Sequence, residues 1–529
     1  MSSFLPPAFG RLTPRQTAAL LAGACLAWAA MWFLSAGNLD PYHDMLESYA
    51  WSQPLRWGTH KHPPFFAWAT GLWFAVFPQT DWAFRLLSFA NVAAGLCGVW
   101  VLGRRLGLGW LAPWGALLLL WSFPYTTLAG KFNANSQLLS LWPWTAALLL
   151  ASWQEKGWRG LWFSMWLGLL AAACMLSKYY SGVVLAGFLL PVLLHPEGRR
   201  WLATPRPYVA LAVFALALAP HAAWMAARGP QALAYALDQG GGSVGWRHLL
   251  SFALSPLFYW LPAWLAVVLL YATAHARLTG QAPARTAARF LRHSWRPQGR
   301  GDVLFWLALT PWALTLLFGL AGAVELSTPW AIPIGYAFAL LWLRNLDALS
   351  PLSTHGVLAR LRRAWWPVVA LVLVLGAAVT AVHALQGKEL YYRPAQEAAR
   401  AIVQDWHRRH PGQTLGWVAG DWAGNAMLAF YAQPGLRTVP GLPDRLPARW
   451  NGLDDWQREP GLLLCPLGPR AGPQASTFCT EGARTWLRAQ GLPATAHVLS
   501  IERSGWLFPR PYPFAYAVFD VPAGVPRGK

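Results

Sequence analysis

The sequence predicts a polytopic α-helical membrane protein of about eleven spans, within a range of roughly ten to thirteen, followed by a small α/β domain. Three observations carry this. Charged residues make up 12% of the 529-residue chain, against about a quarter in soluble globular proteins. Apolar stretches of about 20 residues recur through the first three quarters, each long enough to cross ~30 Å of hydrocarbon as a helix. The basic residues gather in alternate loops, as the positive-inside rule requires.

The spans read as 17–36, 81–103, 110–129, 137–153, 161–177, 181–195, 207–227, 249–272, 303–321, 328–343 and 365–384. The first, from Thr17, is too long for a signal-peptide core and continues into Gly37-Asn38-Leu39-Asp40 without a small-x-small cleavage pattern. With Arg11 and Arg15 inside, the dense basic loops all fall on the same side. These are Arg104-Arg105, Lys156 with Arg159, Arg199 to Arg206, Arg277 to Arg300, and Arg360 to Arg363. The net charge of +21 is therefore a topology signal, and the chain lacks a basic-aromatic module for nucleic acid. Segment 62–78 is apolar but short and opens with Pro63-Pro64, which favours an interfacial helix over a twelfth span.

The outer side receives the first loop 37–80, the turn 130–137, residues 177–180, loop 228–248, residues 325–329 and the C-terminal part. Residues 1–385 thus form the membrane domain and 386–529 a small α/β domain on the periplasmic side. In it, 396–409 and 480–490 read as helices, and 414–418, 461–465, 496–501 and 514–521 as strands. Cys465 and Cys479 lie there together, as a disulfide or as two free thiols. Gly240-Gly241-Gly242 reads as a flexible loop and not a P-loop.

The first outer loop, Asp40 to Pro64, holds three acids, three histidines, a lysine and an arginine beside the membrane. Tyr42, Tyr49, Trp51 and Trp57 alternate with the charges, and the proline pair ends the segment sharply. A solvated loop is the plain alternative; the interleaving suits a sugar or phosphate site at the membrane surface. His43, His60 and His62 match no structural zinc spacing.

Segment Asp44–Trp68 resembles the first extracytoplasmic loop of the membrane glycosyltransferases of family 39, which include protein O-mannosyltransferases and the lipid A aminoarabinose transferase. The resemblance rests on Asp44, Trp51-Ser52-Gln53, Trp57-Gly58 and His62-Pro63-Pro64 at matching spacing. Met45 stands where the family commonly has Glu, and Lys61 where many members have an acid. Leu176-Ser177-Lys178-Tyr179-Tyr180 and Trp330-Ala331-Ile332-Pro333 resemble later family motifs, and Asn135 stands near a Pro-Asp position.

The resemblance implies a GT-C-like fold in a bacterial inner membrane, a polyprenyl-phosphate sugar donor, and a lipid, glycan or protein hydroxyl as acceptor, as in lipopolysaccharide modification. It implies Asp44 as the general base of an inverting transfer and Lys178, with Lys61 and His62, as ligands of the donor phosphate. Tyr49, Trp51, Trp57, Tyr179, Asn135 and Glu325 are candidate substrate contacts. The resemblance names no certain cofactor and leaves room for a divalent ion bridging Asp44 and the donor phosphate. A transporter or flippase of lipid-linked glycans is the other class. It predicts polar residues at mid-membrane and an internal repeat, whereas here the polar residues crowd at outer helix ends.

Overall fold

The structure is a computed structural model and describes residues 10–40, 44–229, 233–234, 245–443, 458–469, 477–505 and 508–524. Tyr42, His43 and the triple glycine 240–242 lie outside the described residues.

The membrane part is helical throughout. Helix α1 (Pro14–Ala36) starts at a capping box in which Thr13 and Gln16 exchange hydrogen bonds, and stops at Gly37, whose φ of +68° suits a glycine C-cap. Two short helices of the first loop follow, α2 (Asp44–Trp51) and α3 (Phe65–Phe74), then α4 (Asp81–Arg105), α5 (Ala112–Leu119), α6 (Ala134–Gln154) and α7 (Gly157–Ser177). After them come α8 (Gly182–Gly187), α9 (Leu189–Leu194), α10 (Pro196–Leu202), α11 (Arg206–Arg228), α12 (Trp246–Thr279) and the amphipathic α13 (Pro283–His293). Helices α14 (Val303–Leu320), α15 (Phe338–Leu349) and α16 (Pro351–Leu385) complete the bundle.

Among the described residues seven helices are long and apolar enough to cross a membrane: α1, α4, α7, α11, α12, α14 and α16. The segment Tyr179–Leu194 with Pro196–Leu202, bent by 106°, makes up to eight. Of the eleven expected spans, three lie outside this set. Expected span 137–153 lies in α6, which is almost entirely enclosed by its neighbours and so carries Gln137, Ser140 and Pro143 without a lipid-facing surface. Span 110–129 is the eight-residue α5 followed by a 3-10 turn at Phe123–Tyr125. Span 328–343 is broken at Pro329 and Pro333 into two 3-10 turns before α15. Segment 62–78 holds only the ten-residue α3.

The C-terminal unit contains α17 (Glu389–Tyr392), α18 (Ala395–Arg409), β1 (Trp417–Gly420), α19 (Trp422–Tyr431), β2 (Arg437–Thr438), β3 (Gly461–Gly468), α20 (Phe478–Ala489), β4 (His497–Ser504) and β5 (Pro511–Val521). Its five-stranded sheet has the order β2-β1-β3-β5-β4, with β1 parallel to β2 and β3, and β5 antiparallel to β3 and β4. Gly461 is required by contact: a Cβ there would lie 2.1 Å from the Trp417 indole. Cys465 and Cys479 form a disulfide, Cα atoms 5.6 Å apart. Sequence reading missed α19 and β2. Helix α19 is apolar with little amphipathic contrast because it is packed on both sides.

One hydrophobic cluster runs from the first loop into the sheet unit. It joins Met45, Leu46 and Tyr49 of α2 and Phe66 and Phe74 of α3 to Phe430 of α19, Leu462 of β3 and Tyr516 of β5. Hydrogen bonds reinforce the join: Asn38 Nδ2 to the Arg393 carbonyl (3.0 Å), Arg503 to the Gly37 carbonyl (3.0 Å) and Tyr431 Oη to Asp81 (2.6 Å).

Candidate active site at one end of the bundle

The site is built on α2. Asp40 caps this helix, its two carboxylate oxygens accepting from the Asp44 and Met45 N–H groups at 3.0 Å each. That fixes Asp44 on the first turn, facing the turn between α5 and α6. Lys131 Nζ lies 2.7 Å from Asp44 Oδ2, and Asn133 Nδ2 donates to the same oxygen at 2.9 Å. Asn133 is also the cap of α6, accepting from the Asn135 and Ser136 N–H groups, so its orientation is fixed by the helix it starts. Among the described residues Oδ1 of Asp44 has no partner, which leaves acceptor capacity on a carboxylate that is a quarter exposed. Burial pushes the Asp44 carboxyl up, but the Lys131 charge and hydrogen bond, with Asn133, outweigh it and hold the group below the usual carboxylate range.

Arg85, 2% exposed on α4, ties both halves of this arrangement. Its guanidinium donates to the Gly130 carbonyl ahead of Lys131, and to the Asn38 and Leu39 carbonyls ahead of Asp40.

Lys178 follows the end of α7 directly. Its ammonium donates to Asn135 Oδ1 and sits 5.4 Å from the Trp330 ring centroid. Burial, only partly offset by Asp44 and added to by Lys61, pulls its pKa from the usual lysine value down to about 7. His62 is half-buried next to Lys178 and Lys61, and desolvation first, then those charges, lower its pKa well below the usual imidazole range. Thr59 holds the His62 loop, accepting from the His62 N–H (2.9 Å) and donating to its carbonyl (2.7 Å).

Lys61 and the aromatics sit differently from expectation. Lys61 Nζ is 3.3 Å from Glu47 Oε1, so its charge is spent on a carboxylate of the same loop. Glu47 also accepts from the indole N–H of Trp422 on α19 at 2.9 Å. Burial, against the pull of Lys61, raises the Glu47 pKa to about 7. Tyr49 is wholly buried with its ring edge-on to Phe74 and Phe430. Trp51, 6% exposed, stacks on Trp422 at 5.9 Å. Both are packing residues of the join to the sheet unit, which corrects their reading as substrate contacts.

Trp57 is exposed and Tyr179 half-buried, and His221 of α11 links them: its Nδ1 meets the Trp57 carbonyl at 2.5 Å and its Nε2 the Tyr179 hydroxyl at 2.7 Å. Glu325 is exposed and pairs with His248 at the start of α12, apart from the Asp44 cluster.

The structure thus brings Asp44, Lys178, His62 and Asn135 together and adds residues that sequence reading missed: Lys131, Asn133, Glu47, Asp40, Arg85, His221 and Trp422. Lys131 had a signal, a lone cation in an outer turn just before a helix-capping Asn. Trp422 had none, since 371 residues of chain separate it from Trp51. Among the described residues no three His, Cys, Asp or Glu side chains converge to hold a metal ion. The cation seated on Asp44 is the Lys131 ammonium, which does not fit a divalent ion bridging that carboxylate.

The architecture is shared with solved structures. ArnT from Cupriavidus metallidurans in the apo state aligns with TM-score 0.55 and 16% identity over 94% of this chain and 97% of that one. The same protein bound to undecaprenyl phosphate aligns with TM-score 0.53 and 15% identity over the same shares. No curated protein matches the chain by sequence. What these two structures share with the chain is the fold. By sequence, residues 61–224 match the family described as dolichyl-phosphate-mannose-protein mannosyltransferase.

Proposed function

We propose that the chain transfers a sugar from a polyprenyl-phosphate donor to a hydroxyl of a glycolipid, glycan or protein acceptor, with inversion, at the periplasmic face of a bacterial inner membrane. The observation that carries this is a carboxylate with one unengaged oxygen, Asp44, in the same cluster as Lys131 and Lys178. An acceptor hydroxyl is a poor nucleophile, and a carboxylate within hydrogen-bond reach takes its proton as it attacks. The acceptor oxygen then bonds to the anomeric carbon, the bond from that carbon to the phosphate oxygen breaks, and its electron pair leaves with the polyprenyl phosphate. Lys178 meets that developing charge in a poorly solvated position, where a fixed cation is worth most. A phosphate is already a good leaving group, so a second catalytic acid is not needed as in glycoside hydrolysis.

Trp57 and Tyr179 remain as candidate sugar or lipid contacts, and Asn135 positions Lys178. The undecaprenyl phosphate bound by the Cupriavidus ArnT supports a lipid-phosphate donor here. The Cys465–Cys479 disulfide supports an oxidising compartment for the C-terminal unit and hence the periplasmic orientation. The transporter alternative gains nothing from the structure, whose charged cluster sits at a bundle end.

The deciding experiment is Asp44→Asn in membranes, assayed for transfer from a labelled polyprenyl-phosphate sugar. Transfer is expected to collapse while the protein stays inserted and folded. Undiminished transfer would overturn the assignment.

A further inference from the structure

At the opposite end of the bundle, arginines from three helices crowd one place. Helices α12 and α16 run antiparallel in contact there: a Cβ on Gly356 would meet Ala274 Cβ at 3.6 Å, and His275 Nδ1 lies 2.9 Å from Ser353 Oγ. Arg360 of α16 donates to the Leu270 carbonyl (3.2 Å) and reaches Thr273 Oγ1 (3.3 Å). Arg277 follows Thr273 by one helical turn, Arg363 follows Arg360 by another, and both act on Arg360 as like charges. Helix α13 lies against the same stretch through Phe290, whose ring is 5.4 Å from that of Tyr271, and its Arg289 faces Tyr271 and His275.

These four side chains have no carboxylate partner among the described residues, although ion pairs elsewhere in the chain are common. Holding like charges together costs free energy that an anion would offset. Exposed apolar side chains stand close to these arginines along α12 and α16: Leu269 is 62% exposed, Leu278, next to Arg277, 50%, and Trp366, one turn after Arg363, 53%. A free anion has no use for such neighbours, whereas a lipid covers them with its chains while its phosphate meets the guanidinium groups.

We propose that Arg277, Arg289, Arg360 and Arg363 form a binding site for an anionic phospholipid, on the leaflet opposite the candidate active site. It requires no assumption about the transfer reaction.

The test is native mass spectrometry of the full-length protein in mixed micelles of phosphatidylcholine and phosphatidylglycerol, counting retained lipids. Wild type is expected to retain phosphatidylglycerol in preference to phosphatidylcholine. The triple variant Arg277→Gln, Arg360→Gln, Arg363→Gln should lose that preference by about 100-fold, at roughly one kcal/mol per arginine near an anionic surface. A control with three exposed basic residues of the same end removed (Arg104→Gln, Arg159→Gln, Arg199→Gln) should keep it. Equal loss in the control would reduce the effect to general surface charge, and unchanged retention in the triple variant would remove the site; either overturns the proposal. So would displacement of the lipid by equimolar inorganic phosphate. If the triple variant unfolds, the single Arg277→Gln change at the exposed end of α12 serves, with about a fivefold loss expected.

Discussion

The two ends of the bundle each hold an aspartate against a cation, and the pairs are put to opposite use. At the basic end Asp302 and Arg344 meet at 2.6 Å, side chains 3% and 13% exposed. Both Asp302 oxygens are occupied: Oδ1 by Arg344 Nη1 and the Phe305 N–H, Oδ2 by Arg344 Nη2 and the Gln298 N–H. The carboxylate caps α14 and locks it to α15. At the other end Asp44 meets Lys131 at nearly the same distance, 2.7 Å. Both of its partners share one oxygen, and the second oxygen faces outward from the pair. Ion-pair distance says nothing about role; the unspent acceptor does.

The largest effect should separate these aspartates. Asp44→Asn is expected to cut sugar transfer by about 10²–10⁴-fold while leaving the thermal midpoint in detergent where it was. Asp302→Asn should do the reverse, lowering stability by about 3–5 kcal/mol because Arg344 is left with an unmatched charge, while turnover of the folded fraction holds. An Asp302 variant that folds normally yet transfers no sugar would break the comparison.

Next is the pH dependence of donor use. With Lys178 at about 7, the free protein loses that cation as pH rises through neutrality. Its kcat/KM for the donor should then fall about tenfold per pH unit on the alkaline side. Lys178→Arg keeps the charge at all these pH values and should flatten that limb. A limb that persists unchanged in the arginine variant would assign it to another group.

A smaller shift is expected on the acid side. Asp44 acts as a carboxylate, so transfer fails as pH falls through its pKa, which in the folded protein is depressed. Lys131→Met removes the largest influence lowering that pKa, and the acid limb should move to higher pH; a stationary limb would show that the pair is structural after all. Smallest of all, Trp422→Phe removes one hydrogen bond to Glu47 and should cost about 1 kcal/mol of stability, read from thermal unfolding. It should also move the Glu47 titration upward from about 7.

The chain's membrane character and the crowded first loop were legible in the sequence because each leaves a local mark: an apolar run, and a cluster of charges and aromatic rings. Motif spacing named Asp44 and Lys178 as candidates, while their meeting in one cluster came only from the structure. The breaks within expected spans 110–129 and 328–343 were not legible, since each segment is apolar throughout and its turns appear only in the backbone. Tyr49 and Trp51 were misread because an aromatic in a polar loop looks like a ligand contact until its neighbour arrives from α19, nearly 400 positions away by sequence number. Lys131 fell between: visible as a charge, with nothing in its own turn to say that Asp44 lies across from it.

The hydrophobic cluster that α2 and α3 share with the sheet unit bears on the timing of synthesis. Asp44, the proposed base, leaves the ribosome nearly 400 residues before Phe430 of the surface that packs against its helix. A nascent chain carries Asp44 into the membrane long before Phe430, Leu462 and Tyr516 exist to close over Met45 and Tyr49. Packing of α2 thus waits until the sheet unit has been made, and a chain cut short before it carries Asp44 on a helix without these packing partners.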